Sequence, residues 1–175
     1  MGQTNANDSK HTTIAYMQDP NDLRVKKRVM SYIETDNTAR DIAAGGSSRV
    51  RTTYSWIASI ETGPTGRTRT ISVMDSTSSN DSVNSYTKYR ADTNSNNPGK
   101  YRVVDYRTDD SGEFSIYHYT SAGNSLSPRG IVSSVDVRKS TIAGRLLRVM
   151  EYEPRTIGDP LTPSPKVTKM TSYKT

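Results

Sequence analysis

Short runs in which polar and apolar residues alternate, separated by turn-forming residues, constrain the fold of this chain more than any other feature. The clearest stretch reads RTTYSWIASIETGPTGRTRTISVMD (51–75), where Tyr54 and Trp56 share one side of an extended strand and arginine and serine share the other. GPTG (63–66) supplies the proline and the glycines that a chain reversal needs. A second such pattern spans residues 101–120 around DDSG (109–112). Both stretches are predicted to form β-hairpins.

The other runs extend this pattern to a mainly β fold. Six to eight short strands at roughly regular spacing predict an antiparallel sheet built from hairpins, and no internal repeat is visible. Residues 23–34 fit either a helix or a strand, although their β-branched and aromatic residues slightly favour a strand. The only leucine cluster, in STIAGRLLRVMEYE (140–153), has helical spacing, and it is the one helical segment that we predict.

We expect a single domain with an arm at each end. Residues 1–11 are polar and predict a flexible N-terminal arm, and 12–153 form the antiparallel β domain. Residues 154–175 contain four prolines and three lysines, which predicts an extended C-terminal arm.

The chain is poor in residues that build a hydrophobic core. Leu, Ile, Val and Phe account for 28 of 175 residues, or 16%. A content of these residues below roughly 20% is typical of chains that can be disordered. Eleven tyrosines and a net charge of only +6 argue for a folded chain. Because burial between copies can replace a missing interior, we expect a homo-oligomer. The residues expected to pack in the sheet or the assembly, with Trp56 buried, are Tyr54, Trp56, Ile142, Leu146 and Val149.

No pattern for catalysis or for a cofactor is present. The chain lacks cysteine, which excludes disulfides and thiolate metal sites, and the isolated His11 and His118 do not predict a zinc site. Asp109 and Asp110 are adjacent carboxylates in a predicted turn, where such residues normally accept backbone hydrogen bonds. We therefore expect a protein that is not an enzyme and binds no metal, cofactor or small-molecule substrate.

The ends of the chain and its hydropathy bear on localisation. The segment MGQTNANDSK has no apolar run of the kind found in signal peptides, and no later run is long enough to cross a membrane. We therefore expect a protein that is not secreted by a signal peptide and does not act at a membrane. It would be found in a virion if the chain is viral, and in the cytoplasm otherwise.

Positive charge lies beside aromatic residues in the predicted strands. Guanidinium groups neutralise phosphates and aromatic rings stack on unpaired bases, so this pattern favours contact with nucleic acid. Cations on an exposed strand also serve solubility or protect a sheet edge, and that alternative stays open. Arginines at two-residue spacing project from one side of each strand of the 51–75 hairpin. The predicted nucleic-acid-binding residues are Arg49, Arg51, Arg67, Arg69, Lys88, Arg90 and Arg102.

The stretch SSRVRTTYSWIASIETGPTGRTRTISVMD (47–75) resembles the central strand pair of the coat proteins of single-stranded RNA phages. STIAGRLLRVMEYE (140–153) would stand for the helical part of that family. The resemblance is one of layout and composition. It implies a meandering antiparallel sheet, a shell made of many copies, and genomic RNA on the basic side of the sheet.

These observations predict a self-assembling structural protein, most specifically a viral coat subunit that contacts RNA. The partners are then other copies of the chain and RNA. Two alternatives remain: a nucleic-acid-binding module that does not assemble, and a phage tail or other virion component. The sequence does not indicate the host, the geometry of assembly, or a preference between RNA and DNA.

Overall fold

The described part of the protein forms one antiparallel sheet whose ten strands follow each other in chain order. The computed structural model describes residues 11–21, 27–36, 49–80, 84–95, 97–120, 130–152 and 167–173. The strands are β1 (His11–Gln18), β2 (Arg28–Asp36), β3 (Arg49–Thr62), β4 (Thr68–Ser79), β5 (Ser85–Ala91), β6 (Arg102–Thr108), β7 (Glu113–Thr120), β8 (Ile131–Lys139), β9 (Leu146–Tyr152) and β10 (Val167–Ser172). The predicted antiparallel architecture is confirmed.

Both predicted hairpins are present. β3 and β4 reverse through the GPTG turn, where Gly66 has a φ of 75° that suits glycine. β6 and β7 reverse at the DDSG turn, where the Gly112 N–H donates to the Asp109 carbonyl at 3.2 Å. Residues 76–79 belong to β4, although their serines are typical of a loop, because they pair with β3 on one side and with β5 on the other.

The predicted count of six to eight strands and the predicted helix at 140–153 are both wrong. Residues 140–145 form a turn, and Leu146–Tyr152 is a strand between β8 and β10. Gly144 has a structural role in that turn, since a Cβ there would lie 1.8 Å from the Lys139 carbonyl oxygen. Two neighbouring strands supply ladder hydrogen bonds to β9, and these outweigh the local helical spacing.

Two segments that the sequence left open or assigned to an arm are strands. Within 23–34 the slight preference for a strand is confirmed from Arg28 onwards, and residues 22–26 lie outside the described part. Val167–Ser172 lies in the predicted C-terminal arm and pairs with β9 as the last strand. Residues 1–10 and 153–166 lie outside the described residues.

The sheet has little interior. All substantial contacts between described strands join neighbours in sequence. The buried apolar side chains among the described residues are all valines, namely Val29, Val73, Val103, Val135 and Val137. Most other strand residues are half-buried, and Trp56, expected to be buried, is also only half-buried. Burial of apolar surface within this part of the chain is therefore small for ten strands.

The described strands also group into five consecutive pairs, which we call hairpins from here on: β1β2, β3β4, β5β6, β7β8 and β9β10. In this grouping β6 and β7, although they reverse at the tight DDSG turn, belong to different hairpins and form a junction. Strands within a hairpin pair along most of their length, as β3 and β4 do from Thr52 to Thr62. Strands at the β2–β3, β4–β5 and β6–β7 junctions pair over shorter stretches, and β6 meets β7 only from Tyr106 to Thr108. At these junctions each hairpin is attached to the next near one end, whereas β9 pairs with β8 along almost its whole length, from Leu146 to Glu151.

Candidate functional site

Every hairpin carries a β-bulge in its second strand, with one extra residue that has no partner on the first strand. These extra residues all have short, oxygen-bearing side chains, which can bond to nearby backbone where the ladder is interrupted. They are Ser31, Asp75, Asp105, Ser133 and Thr168. The chain therefore contains a structural repeat that the sequence did not reveal to us.

An aromatic residue faces the bulge in each hairpin. It pairs in register with the apolar residue that precedes the extra residue, so each repeat sets an aromatic residue opposite Met or Val across the ladder. The five pairs are Tyr16 with Met30, Trp56 with Met74, Tyr89 with Val104, Tyr119 with Val132, and Tyr152 with Val167.

Two of these aromatic residues also connect one hairpin to the one before it. The Trp56 indole Nε1 donates to the Met30 carbonyl oxygen at 2.8 Å, and the Tyr119 hydroxyl donates to the Val104 carbonyl oxygen at 2.9 Å. Each acceptor is the residue before a bulge. Burial raises the pKa of Tyr119 to about 12, so its hydroxyl keeps the donated proton at neutral pH.

The register at the junctions takes two forms, which alternate along the chain. At β2–β3 and β6–β7, the residue after the bulge pairs with the residue three before the aromatic: Tyr32 with Thr53, and Tyr106 with Ile116. At β4–β5 and β8–β9, it pairs with the residue one before the aromatic: Ser76 with Lys88, and Ser134 with Glu151. The repeating unit is therefore a pair of hairpins.

Two fully buried aspartates repeat with the same spacing. Asp19 and Asp92 each lie three residues after a hairpin aromatic, and each accepts a hydrogen bond at 3.0 Å from the backbone N–H two residues on. Each also reaches the next hairpin: the Ser72 hydroxyl donates to Asp19, and the Gly130 N–H donates to Asp92 at 2.6 Å. Ser72 and Gly130 both lie three residues before a bulge, so the two loops hold adjacent hairpins in the same way.

A sequence signal for this repeat does exist. YMQDPN (16–21) matches YRADTN (89–94) in its Tyr, Asp and Asn, and RVMSY (28–32) matches RVVDY (102–106) in its Arg, Val and Tyr. These short matches are spread over loops of different length. Only the shared register and the equivalent hydrogen bonds make them recognisable as a repeat.

Arg49 and Arg51, predicted to contact nucleic acid, pair with carboxylates across the β2–β3 junction. Arg49 Nε lies 2.8 Å from Asp36, and Arg51 Nε lies 2.6 Å from Glu34. Hydrogen bonding to Asp36 raises the pKa of Arg49. The Arg51 guanidinium also lies 4.4 Å from the centre of the Tyr32 ring. A phosphate at this position would compete with two carboxylates that already hold the cations.

The β5 cations pair with the two acidic bulge residues. Lys88 Nζ lies 2.7 Å from Asp75, whose hydrogen bond raises the pKa of Lys88, and Arg90 Nε lies 3.2 Å from Asp105. Arg102 is largely buried and donates to a backbone carbonyl at 2.7 Å, and burial lowers its pKa. These three cations therefore have structural partners.

The four hairpin arginines do not form one cluster. Arg69 pairs in register with Glu61, which is ten residues along β3 from Arg51. At about 3.3 Å per residue, the two arginine pairs lie about 33 Å apart at opposite ends of the hairpin. The sequence predicts the two-residue spacing within each pair, but the register keeps the pairs separate.

The turn end of this hairpin carries a group of charges around a cavity of about 400 Å³. Glu61 is 6% exposed, and it lies 2.5 Å from Arg69 and 3.0 Å from Lys100, which comes from the β5–β6 loop. Hydrogen bonds from Lys100 and then Arg69 hold the pKa of Glu61 below its ordinary value. Arg67 also lines the cavity and makes no ion pair with any described residue. Glu61 and Lys100 are not among the predicted site residues, because only the loop between β5 and β6 brings Lys100 to this turn.

The predicted packing residues take different positions. Tyr54 and Trp56 are half-buried on β3, and Leu146 and Val149 are half-buried on β9. Ile142 is 50% exposed in the turn that precedes β9, so it contributes little to packing within the described residues. None of the five is fully buried.

The remaining titratable groups do not assemble into a catalytic arrangement in the described ranges. His118 Nε2 lies 3.4 Å from Asp136 on an exposed part of β7 and β8. Asp109 accepts from the Ser111 N–H at 3.0 Å and from its hydroxyl, and the hydroxyl contact lowers the pKa of Asp109. No group of three His, Cys, Asp or Glu among these residues could hold a metal ion. No helix in the described part is long and apolar enough to cross a bilayer.

Comparisons with known proteins give no relative. No protein-family model, no curated protein and no solved structure matches the chain.

Proposed function

We propose that the chain is a non-enzymatic structural protein that works as an assembly of several copies. The observation that carries the proposal is the sheet itself, in which ten strands make substantial contacts only with their sequence neighbours and bury five valines among the described residues. Such a sheet gains stability from each added neighbour and loses it at the ends. Assembly supplies neighbours and buries apolar surface that one copy leaves half-exposed.

The more specific proposal is a viral coat subunit that contacts genomic RNA. It rests on the resemblance of residues 47–75 to phage coat proteins and on the cations of the sheet. The strongest candidate contact is the turn end of β3–β4, where Arg67, Arg69 and Lys100 surround the cavity and Glu61 is the one acidic side chain among the described lining residues. Arg49 and Arg51 are a weaker candidate, because Asp36 and Glu34 already neutralise them.

Assembly is tested by sedimentation velocity and negative-stain microscopy over a range of protein concentrations. Shells, tubes or filaments are expected, and the melting temperature should rise with concentration in the disassembled regime. A compact species of 19.4 kDa with a melting temperature independent of concentration would contradict the proposal. If that monomer bound RNA, the non-assembling nucleic-acid-binding module would be the correct function.

RNA contact is tested by filter binding of generic RNA across a salt series. Arg67→Gln with Arg69→Gln should flatten the salt dependence by up to about 1.4 log units per log unit of salt, at about 0.7 for each single-strand phosphate contact. Arg49→Gln with Arg51→Gln should have a smaller effect. Lys139→Gln with Arg145→Gln is the matched control, since it removes two exposed cations from the β8–β9 turn. Equal slopes in all folded variants, checked by circular dichroism, would show that the arginines do not bind RNA.

A further inference from the structure

We propose that the outer edge of β10 in one copy pairs antiparallel with the outer edge of β1 in a second copy, so that the order of hairpins continues from chain to chain. The inference rests on the proposed function and deepens it by naming the two surfaces that join. Within the described residues, β1 pairs only with β2 and β10 pairs only with β9, so each has an open edge.

β1 carries none of the features that normally prevent edge-to-edge pairing. β10 carries a lysine and a bulge, but the bulged strands β2, β4, β6 and β8 all pair with the strand that follows them. Proteins protect such edges with lysine, other charged residues, proline or bulges that turn the edge away. β1 reads HTTIAYMQ and contains no Lys, Arg, Asp, Glu or Pro. β10 reads VTKMTS, and its single cation, Lys169, already lies 3.2 Å from Glu151 of β9. Both strands are mostly exposed.

An internal junction combines a bulged strand with an aromatic-bearing strand, and each of the two edge strands supplies one of these. Every junction inside the chain joins the bulged strand of one hairpin to the aromatic-bearing strand of the next. β10 carries the bulge at Thr168 with Val167 before it, and β1 carries the aromatic Tyr16. Val167 is 43% exposed and Tyr16 is 54% exposed, whereas the corresponding Trp56 and Tyr119 are half-buried against the preceding hairpin. A second copy would bring the missing half of the junction to each edge.

The internal junctions provide two possible registers. In the form seen at β2–β3 and β6–β7, Lys169 would face Thr13 of the second copy, and the Tyr16 hydroxyl would donate to the Val167 carbonyl as Trp56 does to Met30. In the form seen at β4–β5 and β8–β9, Lys169 would face Ala15. The described residues form an odd number of hairpins, so alternation alone does not choose between the two registers.

Cysteine cross-linking tests the junction, because the chain has no native cysteine. Thr13→Cys with Lys169→Cys reports the first register, and Ala15→Cys with Lys169→Cys reports the second. Directly opposed residues come close enough for a disulfide. The variant that matches the true register, oxidised in the assembled state, should give a ladder of covalent dimers, trimers and higher multimers on a non-reducing gel. Thr12→Cys with Met170→Cys and Thr13→Cys with Thr171→Cys repeat the two tests at neighbouring positions if a first variant does not fold.

Two controls separate this inference from the proposed function. Each variant is first shown by sedimentation to assemble like the unmodified chain when reduced. Thr13→Cys with Lys139→Cys, which joins β1 to an interior strand, should give no ladder. Assembly without a ladder in any of the edge variants would overturn the β10–β1 junction and leave the proposed function intact. An unmodified chain that stays monomeric would overturn both.

Discussion

Trp56 donates a hydrogen bond from its indole Nε1 to the carbonyl oxygen of Met30, and this contact joins two hairpins where their strands no longer pair. Trp56 lies three residues beyond the last β3 residue in the ladder with β2, and Met30 lies two residues before the matching β2 residue. Tyr119 and Val104 repeat the same offsets at the β6–β7 junction. A ring with one polar atom suits this position, because it covers apolar neighbours and satisfies a carbonyl beside the bulge.

Replacing Trp56 by Phe should destabilise the protein by about 1 kcal/mol or somewhat more. The ring is kept in part, while the Met30 carbonyl loses its donor. Tyr119→Phe should cost about 1 kcal/mol for the same reason. Urea unfolding at one fixed protein concentration measures both values.

Tyr89→Phe is the matched control for this pair. Tyr89 has the same place in its hairpin, but its hydroxyl makes no hydrogen bond with any described residue. Its replacement should therefore change stability by less than about 0.5 kcal/mol. Equal losses for Tyr89→Phe and Tyr119→Phe would show that the contact with the bulge carbonyl does not stabilise the junction.

Asp92→Ala should destabilise the protein by about 2–4 kcal/mol. The side chain is fully buried, and its removal leaves the N–H groups of Asn94 and Gly130 without an acceptor. Asp110→Ala, in an exposed turn, is the control and should have little effect. Thermal unfolding of both variants measures the difference in stability. A loss of stability below about 1 kcal/mol for Asp92→Ala would contradict the role of the Asp92 loop in holding adjacent hairpins together.

Gly99→Ala should displace the β5–β6 loop from β3. A Cβ at this position would lie 1.5 Å from the Ile60 carbonyl oxygen, which is backbone and cannot move aside as a side chain can. Overpacking of this kind typically costs about 1–3 kcal/mol. Gly66→Ala is the comparison, since a Cβ there meets nothing within 4 Å and only the positive φ of 75° is unfavourable. A smaller loss for Gly99→Ala than for Gly66→Ala would show that the loop does not pack on β3.

The contribution of Glu61 to stability should disappear in acid. Its pKa is held below the ordinary 4.5 by Lys100 and Arg69. A carboxyl with a lowered pKa in the folded state stabilises that state above its unfolded pKa, and the effect is lost as pH falls through the folded pKa. Glu61→Gln should therefore lower the melting temperature at pH 7, and this difference should shrink steadily below about pH 4.

Glu151→Gln serves as the control for the acid titration. Glu151 pairs with Lys169 at the surface, where an exposed ion pair contributes little. Its melting temperature should stay close to that of the unmodified chain at pH 7. A difference for Glu61→Gln that is unchanged between pH 7 and pH 3 would mean that packing, and not charge, accounts for the role of Glu61.

The hairpins around GPTG and DDSG could be predicted because their signals are local. Alternation of side chains requires only an extended backbone, and a turn requires only residues that accept its dihedral angles. The prediction of a helix for 140–153 was wrong because the structure of this segment depends on contacts that are not local. Leu146 and Val149 have helical spacing, but the same residues also suit a strand with a partner on each side. Periodicity does not show whether such partners will be available.

The sequence by itself determined that this chain forms short antiparallel strands with little to bury, since both properties follow from residue types and their spacing. Only the tertiary structure decided which residues meet. The register placed Arg51 against Glu34 and kept it about 33 Å from Arg69, and the bulges set Trp56 against Met30 and Tyr119 against Val104. Register depends on hydrogen bonds between residues far apart in the chain, and one extra residue at a bulge shifts every later pair. A repeat that is defined by such contacts is easier to recognise in the folded structure than in the sequence.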